Sequence, residues 1–199
     1  MNDPITLIGI TTTYLELISF ILAVITVALN IRQLHWAWLF SIASSATYAV
    51  VFYDARLYGD MGLQFVFISV SVWGWYQWLR GGVDHAPLPV TASSAKGWAW
   101  GIAAWLAAFA LLAWFLAKFT NTDVPNTDGF LTAGSLLGQV LLSRKKVENW
   151  IVWIVVDILY VGLYMYKGLH LTAVLYGIFV IMAVMGWVTW YRAAGSKHA

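Results

Sequence analysis

The stretch from Trp150 to Tyr164 carries side chains whose types and spacing suit the binding of a flat organic ligand. They recur at intervals of three and four residues, so a helix places them on one stripe: Trp150, Trp153, Asp157, Tyr160 and Tyr164. Aromatic rings stack on planar ligands and attract cations, and a carboxylate beside them adds a negative charge. The stripe therefore predicts a site for a ring compound that is neutral or cationic.

The same aromatic residues also have a purely structural interpretation. Trp150 and Trp190 lie near the ends of apolar runs, where aromatic side chains often form belts at a membrane surface. Trp153 and Tyr160 lie deeper, which favours ligand contact, although helix packing uses such residues as well. Ligand contact and packing are therefore both consistent with the pattern.

Two carboxylates, Asp157 and Glu16, are placed well inside apolar runs. A charge at such a position costs roughly 2.5 kcal/mol or more, so the residue usually faces a cavity or a partner. No Lys or Arg lies at comparable depth. Each acid is therefore either neutral and hydrogen-bonded to backbone or hydroxyl groups, or it meets a cationic ligand. The lack of deep basic residues also argues against a phosphorylated ligand.

Three amide side chains, Gln64, Gln139 and Asn149, can each donate and accept hydrogen bonds, as recognition of hydroxyl or amide groups requires. Each could instead bridge helices. Gln139 is the strongest candidate, because its apolar run is short and contains Gly134-x-x-x-Gly138, a spacing that lets helices approach closely.

Composition indicates the elements that position these residues. The chain is 61% hydrophobic and 10% charged, which leaves too little polar surface for a water-soluble globule of 199 residues. Seven apolar runs have a length suited to crossing a bilayer as helices: Ile5 to Asn30, Trp36 to Tyr53, Gly59 to Leu79, Trp98 to Phe119, Gly129 to Leu142, Trp150 to Tyr166 and Leu169 to Tyr191. The sequence therefore predicts an all-α membrane protein with seven transmembrane helices, embedded in the lipid bilayer.

Other function classes find little support. A net charge of +2 gives no indication of a nucleic-acid partner, and the absence of cysteine removes disulfides and thiol chemistry. The four histidines fall in loops, span ends or the tail, with no metal-binding or nucleophile-base pattern. We therefore expect no metal, no cofactor and no enzymatic activity. A membrane-embedded enzyme and an accessory subunit remain distant alternatives.

An internal repeat organises the chain. The segment Trp36 to Arg80 recurs as Glu148 to Arg192, 112 residues further along and without a gap. Both copies end in Gly-Trp-x-x-Trp-x-Arg, and the matched pairs include Trp38 with Trp150 and Tyr48 with Tyr160. Two related halves are typical of transporters.

The repeat predicts a 3+1+3 architecture. The second span pairs with the sixth, the third with the seventh and, by extension, the first with the fifth. Two odd-numbered units keep the same orientation only if an extra span separates them, and the fourth span has no counterpart. We expect parallel repeats about an axis along the membrane normal, as in the sugar-transporting SWEET proteins. The predicted segments are residues 1–80 for the first three-helix repeat, 81–127 for a loop and linker helix, and 128–199 for the second repeat and a cytoplasmic tail.

The positions of Lys and Arg predict the orientation of the chain. With the N-terminus in the periplasm, the outer loops hold only Arg56, Lys118 and Lys167. The inner loops and the tail then hold eight basic residues: Arg32, Arg80, Lys96, Arg144, Lys145, Lys146, Arg192 and Lys197. This asymmetry follows the positive-inside rule and places the C-terminus in the cytoplasm.

Nearly the whole chain resembles the PnuC family of bacterial vitamin transporters. The resemblance is strongest in Arg144-Lys-Lys-Val-Glu-Asn-Trp-Ile-Val-Trp-Ile-Val-Val-Asp157, and it continues through Tyr160, Lys167-Gly168-Leu169 and Thr172 to Tyr176. The earlier half adds Tyr58-Gly-Asp-Met61 and Trp73-Gly-Trp-Tyr-Gln-Trp78. The resemblance implies an inner-membrane carrier of nicotinamide riboside, with thiamine, riboflavin or nucleosides as the cargo of related members.

The resemblance also implies a mechanism and a set of binding residues. Members are thought to work by facilitated diffusion, by alternating access, with a cytoplasmic kinase phosphorylating the vitamin so that it cannot leave. A thiamine carrier of the same family is the alternative, and assembly into a homo-oligomer is left open. The implied substrate-binding residues are Asn149, Trp150, Trp153, Asp157 and Tyr160, together with Gln64, Trp75 and Gln139. Glu16 is kept as a second intramembrane acid.

Overall fold

The computed structural model describes residues 4–7, 10–54, 58–166 and 170–195. Its first element is not a helix: β1 (Pro4–Leu7) and β2 (Ile10–Thr13) pair as an antiparallel hairpin. The predicted start of the first span at Ile5 is therefore wrong, and α1 covers Tyr14–Ile31. The residues Ile10 to Thr13 are all β-branched, and such side chains favour extended backbone.

Seven α-helices follow in the described part of the chain, and each coincides with one predicted span. Beyond α1 they are α2 (Ala37–Asp54), α3 (Tyr58–Arg80), α4 (Ala95–Phe119), α5 (Pro125–Ser143), α6 (Asn149–Tyr166) and α7 (His170–Gly195). The helix α5 begins before its predicted span, because Pro125 at the first helical position has the backbone angle that helix initiation requires. The all-helical fold class is confirmed, with the short hairpin as an addition.

Three of these helices are long and apolar enough to cross a membrane by length and composition: Ala95–Phe119, Asn149–Tyr166 and Ala173–Gly195. Two shorter apolar helical stretches, Leu17–Ile31 and Ala37–Val50, lie in the first half. In α2, the serines Ser41, Ser44 and Ser45 interrupt the apolar run.

The chain divides into two compact units, Met1–Leu88 and Pro89–Ala199. In the first unit, α2 packs against both α1 and α3; in the second, α6 packs against both α5 and α7, and α4 packs against α5. The helices α2 and α6 begin and end 112 residues apart, as the sequence repeat predicts. The parallel relation of the repeats and the three-segment division remain predictions.

A buried tryptophan contact recurs in both repeats, and we call it the tryptophan socket. In the first repeat the Trp38 ring lies on Gly74 and meets Trp78 edge to face, with ring centroids 5.4 Å apart. In the second repeat Trp150 lies on Gly186 and meets Trp190 edge to face, also at 5.4 Å. Such pairs contribute about 0.5–1.5 kcal/mol beyond their burial. All four rings are buried, so Trp150 and Trp190 pack inside the unit and do not form a surface belt.

Candidate substrate-binding site

Helix α6 carries the predicted stripe, and α5 and α7 flank it. Its apolar side chains Val152, Val156 and Leu163 form a core cluster with Leu131 of α5. Packing of these residues fixes the rotation of α6 about its axis. The stripe residues on the neighbouring face are thereby held in defined positions between α5 and α7.

The Gly134-x-x-x-Gly138 motif of α5 provides the surface on which α6 lies. A Cβ added to Gly138 would come within 2.9 Å of the Trp153 ring, and one added to Gly134 within 2.6 Å of Val156 Cγ2. The Trp105 ring of α4 covers Gly134 as well and donates its Nε1–H to the Phe130 carbonyl at 3.0 Å. The close approach predicted from the glycine spacing is present, and it holds one edge of Trp153 against α5 while the ring stays half-buried.

Asn149 occupies the first position of α6 and is fully buried. Its Nδ2 donates a hydrogen bond to the Lys146 carbonyl at 2.6 Å. Its Oδ1 has no hydrogen-bond partner among the residues that the structure describes, and neither has Nε1 of Trp150, the next residue in the sequence. Since a buried polar atom without a partner costs about 1–3 kcal/mol, the start of α6 can offer one acceptor and one donor to a ligand.

Asp157 lies two turns further along α6 with 5% of its surface exposed. Within the described part of the chain, no hydrogen bond ends on its carboxyl group. The interpretation of Asp157 as an acid held by neighbouring hydroxyls therefore has no support among these residues. An acid in this setting can pair with a cationic group of a ligand.

Tyr160 belongs to a cluster of three tyrosines that joins α6 to α7. It stacks on Tyr164 with ring centroids 5.6 Å apart and an interplanar angle of 15°, and Tyr176 of α7 contacts both rings at 4.8 and 5.1 Å. The Ser135 side chain of α5 lies near the Tyr160 hydroxyl, and its own hydroxyl donates to the Leu131 carbonyl at 2.9 Å. Tyr176 and Ser135 were not among the predicted site residues, because their proximity to α6 depends on packing between helices and not on spacing along one helix.

The remaining predicted residues lie on α5 and in the first unit. Gln139 is buried in α5 of the second unit, whereas Gln64 and Trp75 are half-buried in α3 of the first unit. The Trp75 Nε1 has no partner among the described residues, and its ring lies 6.2 Å from that of Trp36. The side chain of Glu16 lies outside the described residues. The structure thus brings six of the predicted residues together in one unit, on α5 and α6.

The family follows from comparison with known proteins. A family model described as nicotinamide mononucleotide transporter matches residues 13–192. The chain belongs to that family. Because the match spans nearly all seven helices, the chain is a multi-pass membrane transporter and not an enzyme, as the sequence predicted.

Several named relatives support membership of the same family. The riboflavin/roseoflavin transporter RibM of Streptomyces davaonensis is 29% identical over 179 residues, covering 88% of this chain and 84% of its own. The nicotinamide riboside transporter PnuC of Escherichia coli is 22% identical over 232 residues, covering 99% and 94%. PnuC of Neisseria mucosa is 28% identical over 172 residues, covering 78% and 63%.

The crystal structure of the vitamin B3 transporter PnuC has the same fold. It superimposes with a TM-score of 0.74 at 23% identity, covering 94% of this chain and 83% of that chain. The predicted membership of the PnuC family is confirmed, and the relatives are vitamin transporters.

Proposed function

We propose that the protein carries nicotinamide riboside across the bacterial inner membrane, with its N-terminus in the periplasm and its C-terminus in the cytoplasm. The unpartnered Oδ1 of Asn149 carries this proposal, because it is a fully buried acceptor without a donor among the described residues. The carboxamide of nicotinamide provides such a donor. The names of two relatives, both nicotinamide riboside transporters, support the same substrate.

The spacing along α6 suits a ligand made of a cationic ring and a sugar. At a rise of about 1.5 Å per residue, Asn149 and Trp153 lie about 6 Å apart along the axis, and Asp157 lies about 6 Å beyond Trp153. Asn149 and the Trp150 N–H would bind the carboxamide, and Trp153 would stack on the pyridinium ring. Asp157 would attract its positive charge.

The mechanism we propose is facilitated diffusion by alternating access. No ATP-binding loop occurs in the sequence, and facilitated diffusion down the concentration gradient of the vitamin is the simplest mechanism; proton coupling through Asp157 or Glu16 is the alternative. A cytoplasmic kinase would phosphorylate the vitamin after entry, and a phosphorylated product would not leave through a site without deep basic residues.

Riboflavin is a second candidate substrate. RibM is 29% identical to this chain, close to the 28% of PnuC of Neisseria mucosa, so the two substrates have similar support from identity. The riboflavin ring system is neutral and also presents adjacent donors and acceptors, so it could use Asn149 without needing a charge on Asp157. Thiamine, the alternative suggested by the sequence, is cationic and would need Asp157 as nicotinamide riboside does.

Binding and transport by the purified protein test these proposals. Calorimetry with nicotinamide riboside, riboflavin and thiamine should show binding of nicotinamide riboside. If only riboflavin binds, riboflavin is the substrate and the proposal of nicotinamide riboside is wrong. In liposomes, labelled nicotinamide riboside should equilibrate across the membrane without any other protein. Accumulation of the unmodified vitamin above the outside concentration would contradict facilitated diffusion, and no unaided transport would favour an accessory subunit.

A further inference from the structure

The segment between α5 and α6 carries the strongest sequence resemblance to the family, yet residues 144–148 have no place among the proposed substrate contacts. In the structure this segment pairs with the extended chain that precedes α4. The Thr91 N–H donates to the Lys145 carbonyl at 3.1 Å, and the Val147 N–H donates to the Thr91 carbonyl at 3.1 Å. We call the paired residues 91–93 and 145–148 the linker clasp.

Two charged side chains close the clasp. The carboxylate of Glu148, 8% exposed, accepts the Ser93 backbone N–H at 2.7 Å and the Ser93 hydroxyl at 3.0 Å. The Lys146 ammonium donates to Thr91 Oγ1 at 2.9 Å and to the Ala92 carbonyl at 3.4 Å. Hydrogen bonds to charged groups are about twice as strong as neutral ones, so the clasp is a firm connection for a loop.

The backbone within the clasp is strained. Lys145 has a φ of 48°, in the left-handed region that residues with a side chain seldom adopt. Such a conformation costs about 1–3 kcal/mol and persists only where the surroundings hold it. Here the Lys145 carbonyl accepts a hydrogen bond from Thr91, so the extended chain directly holds the strained residue.

The clasp connects to Asn149 through the next carbonyl. The Lys146 ammonium is held by Thr91 and Ala92, and the Lys146 backbone carbonyl accepts a hydrogen bond from Asn149 Nδ2 at 2.6 Å. That bond determines which way the amide is turned and leaves Oδ1 as the atom without a partner. We propose that the linker clasp positions the Asn149 amide for substrate binding, with Glu148 as the positioning residue. This proposal rests on the proposed function of Asn149 as a substrate contact.

The variant Glu148→Ala tests the proposal, because it removes the acceptor of both Ser93 hydrogen bonds. We expect the dissociation constant for nicotinamide riboside, measured by calorimetry, to rise about tenfold, the equivalent of one charge-assisted hydrogen bond. Glu148→Gln keeps one acceptor, and its dissociation constant should lie between those of the wild type and Glu148→Ala. The transport rate at saturating vitamin should change much less than the affinity, which a general loss of folded protein would not produce.

Ser94→Ala is the matched control. Ser94 neighbours the clasp, and its hydroxyl accepts a hydrogen bond from the Gly97 N–H at 3.2 Å at the start of α4, with no hydrogen bond to α6 among the described residues. It should leave the dissociation constant unchanged. Equal weakening by Ser94→Ala and Glu148→Ala, or unchanged binding by Glu148→Ala, would overturn the proposal.

Hydrogen exchange separates this proposal from the proposed function. If wild-type protein binds none of the three vitamins, the proposed function fails, and exchange at residues 149–152 still tests the clasp. Faster exchange there in Glu148→Ala, but not in Ser94→Ala, would show that the clasp holds the start of α6. Unchanged exchange would overturn the clasp as well.

Discussion

The two three-helix repeats share their packing and differ in their polar groups. Both contain the tryptophan socket, formed by Trp38, Gly74 and Trp78 in one repeat and by Trp150, Gly186 and Trp190 in the other. Even the unpartnered indole N–H is common to Trp38 and Trp150. A feature that occurs in both repeats belongs to the fold, so the Trp150 N–H alone is weak support for a substrate site.

The differences lie on the faces of α2 and α6. At the positions of Asn149, Trp153 and Asp157, the first repeat has Ala37, Ser41 and Ser45. The hydroxyl of Ser41 pairs with that of Ser71 at 3.0 Å, whereas no hydrogen bond in the described part of the chain ends on Asn149 Oδ1 or Asp157. Among the described residues, Ser41 of the first repeat therefore joins two helices, whereas Asn149 of the second repeat keeps one hydrogen-bond acceptor without a partner.

The largest effect should come from filling the tryptophan sockets. An added Cβ would lie 2.5 Å from the Trp38 ring in Gly74→Ala and 2.6 Å from the Trp150 ring in Gly186→Ala. Overpacking of this kind costs about 1–3 kcal/mol, and we expect about 3 kcal/mol for both variants, because the sockets match. Thermal unfolding in detergent measures the loss.

Two other glycines serve as controls for the sockets. Gly62 in α3 and Gly162 in α6 have no atom within 4 Å of an added Cβ. Gly62→Ala and Gly162→Ala should be neutral or should stabilise by up to about 1 kcal/mol, since alanine favours helix. If a socket variant were as stable as these controls, or if the two socket variants differed greatly in stability, the structural equivalence of the repeats would be contradicted.

Replacing the carboxyl group of Asp157 by an amide should have the next largest effect. Asp157→Asn keeps the shape of the side chain and makes α6 resemble the neutral face of α2. If the ligand is cationic, we expect nicotinamide riboside uptake into liposomes to fall about 30-fold, or about 2 kcal/mol, as for a desolvated cation beside an acid. Ser45→Ala at the equivalent position of the first repeat should transport normally.

The Asp157 variant also separates the substrates. Riboflavin is neutral, so its binding should not weaken in Asp157→Asn. Unchanged uptake of nicotinamide riboside by this variant would show that Asp157 is a structural acid, and the difference between the repeats would then rest on Asn149 and Trp153.

The positions of the helices could be predicted from the sequence, because a long apolar run forms a helix largely independently of the other segments. The prediction failed where β-branched residues at the edge of an apolar run form a strand, as at Ile10 to Thr13, and where a helix begins outside its apolar run, as at Pro125. At the site, the spacing on α6 predicted which residues share a stripe. It could not predict that Trp153 lies on Gly138 or that Tyr160 meets Tyr176, because those contacts join different helices.

The Trp150 socket could have been predicted in part from the sequence. The repeat had already matched Gly74 with Gly186 and Trp78 with Trp190. A glycine next to a buried indole ring on a neighbouring helix is a packing signal, and its recurrence in both halves favoured packing over a surface belt. The pairing of the glycine with the ring, however, required the geometry of adjacent helices.

The smallest effect should come from the hydroxyl pair of the first repeat. Ser19 Oγ and Thr47 Oγ1 lie 2.7 Å apart between α1 and α2, and Thr47 Oγ1 donates to the Ser44 carbonyl at 2.8 Å. Interhelical hydrogen bonds in membranes average about 0.6 kcal/mol, so Thr47→Val should lower the melting temperature by about 2 °C, and Thr47→Ser should not. Transport of nicotinamide riboside should persist in both variants, because the first repeat uses this hydroxyl to join helices. A variant with normal stability and impaired transport would instead place Thr47 in the transport path, and the division of roles between the repeats would have to be abandoned.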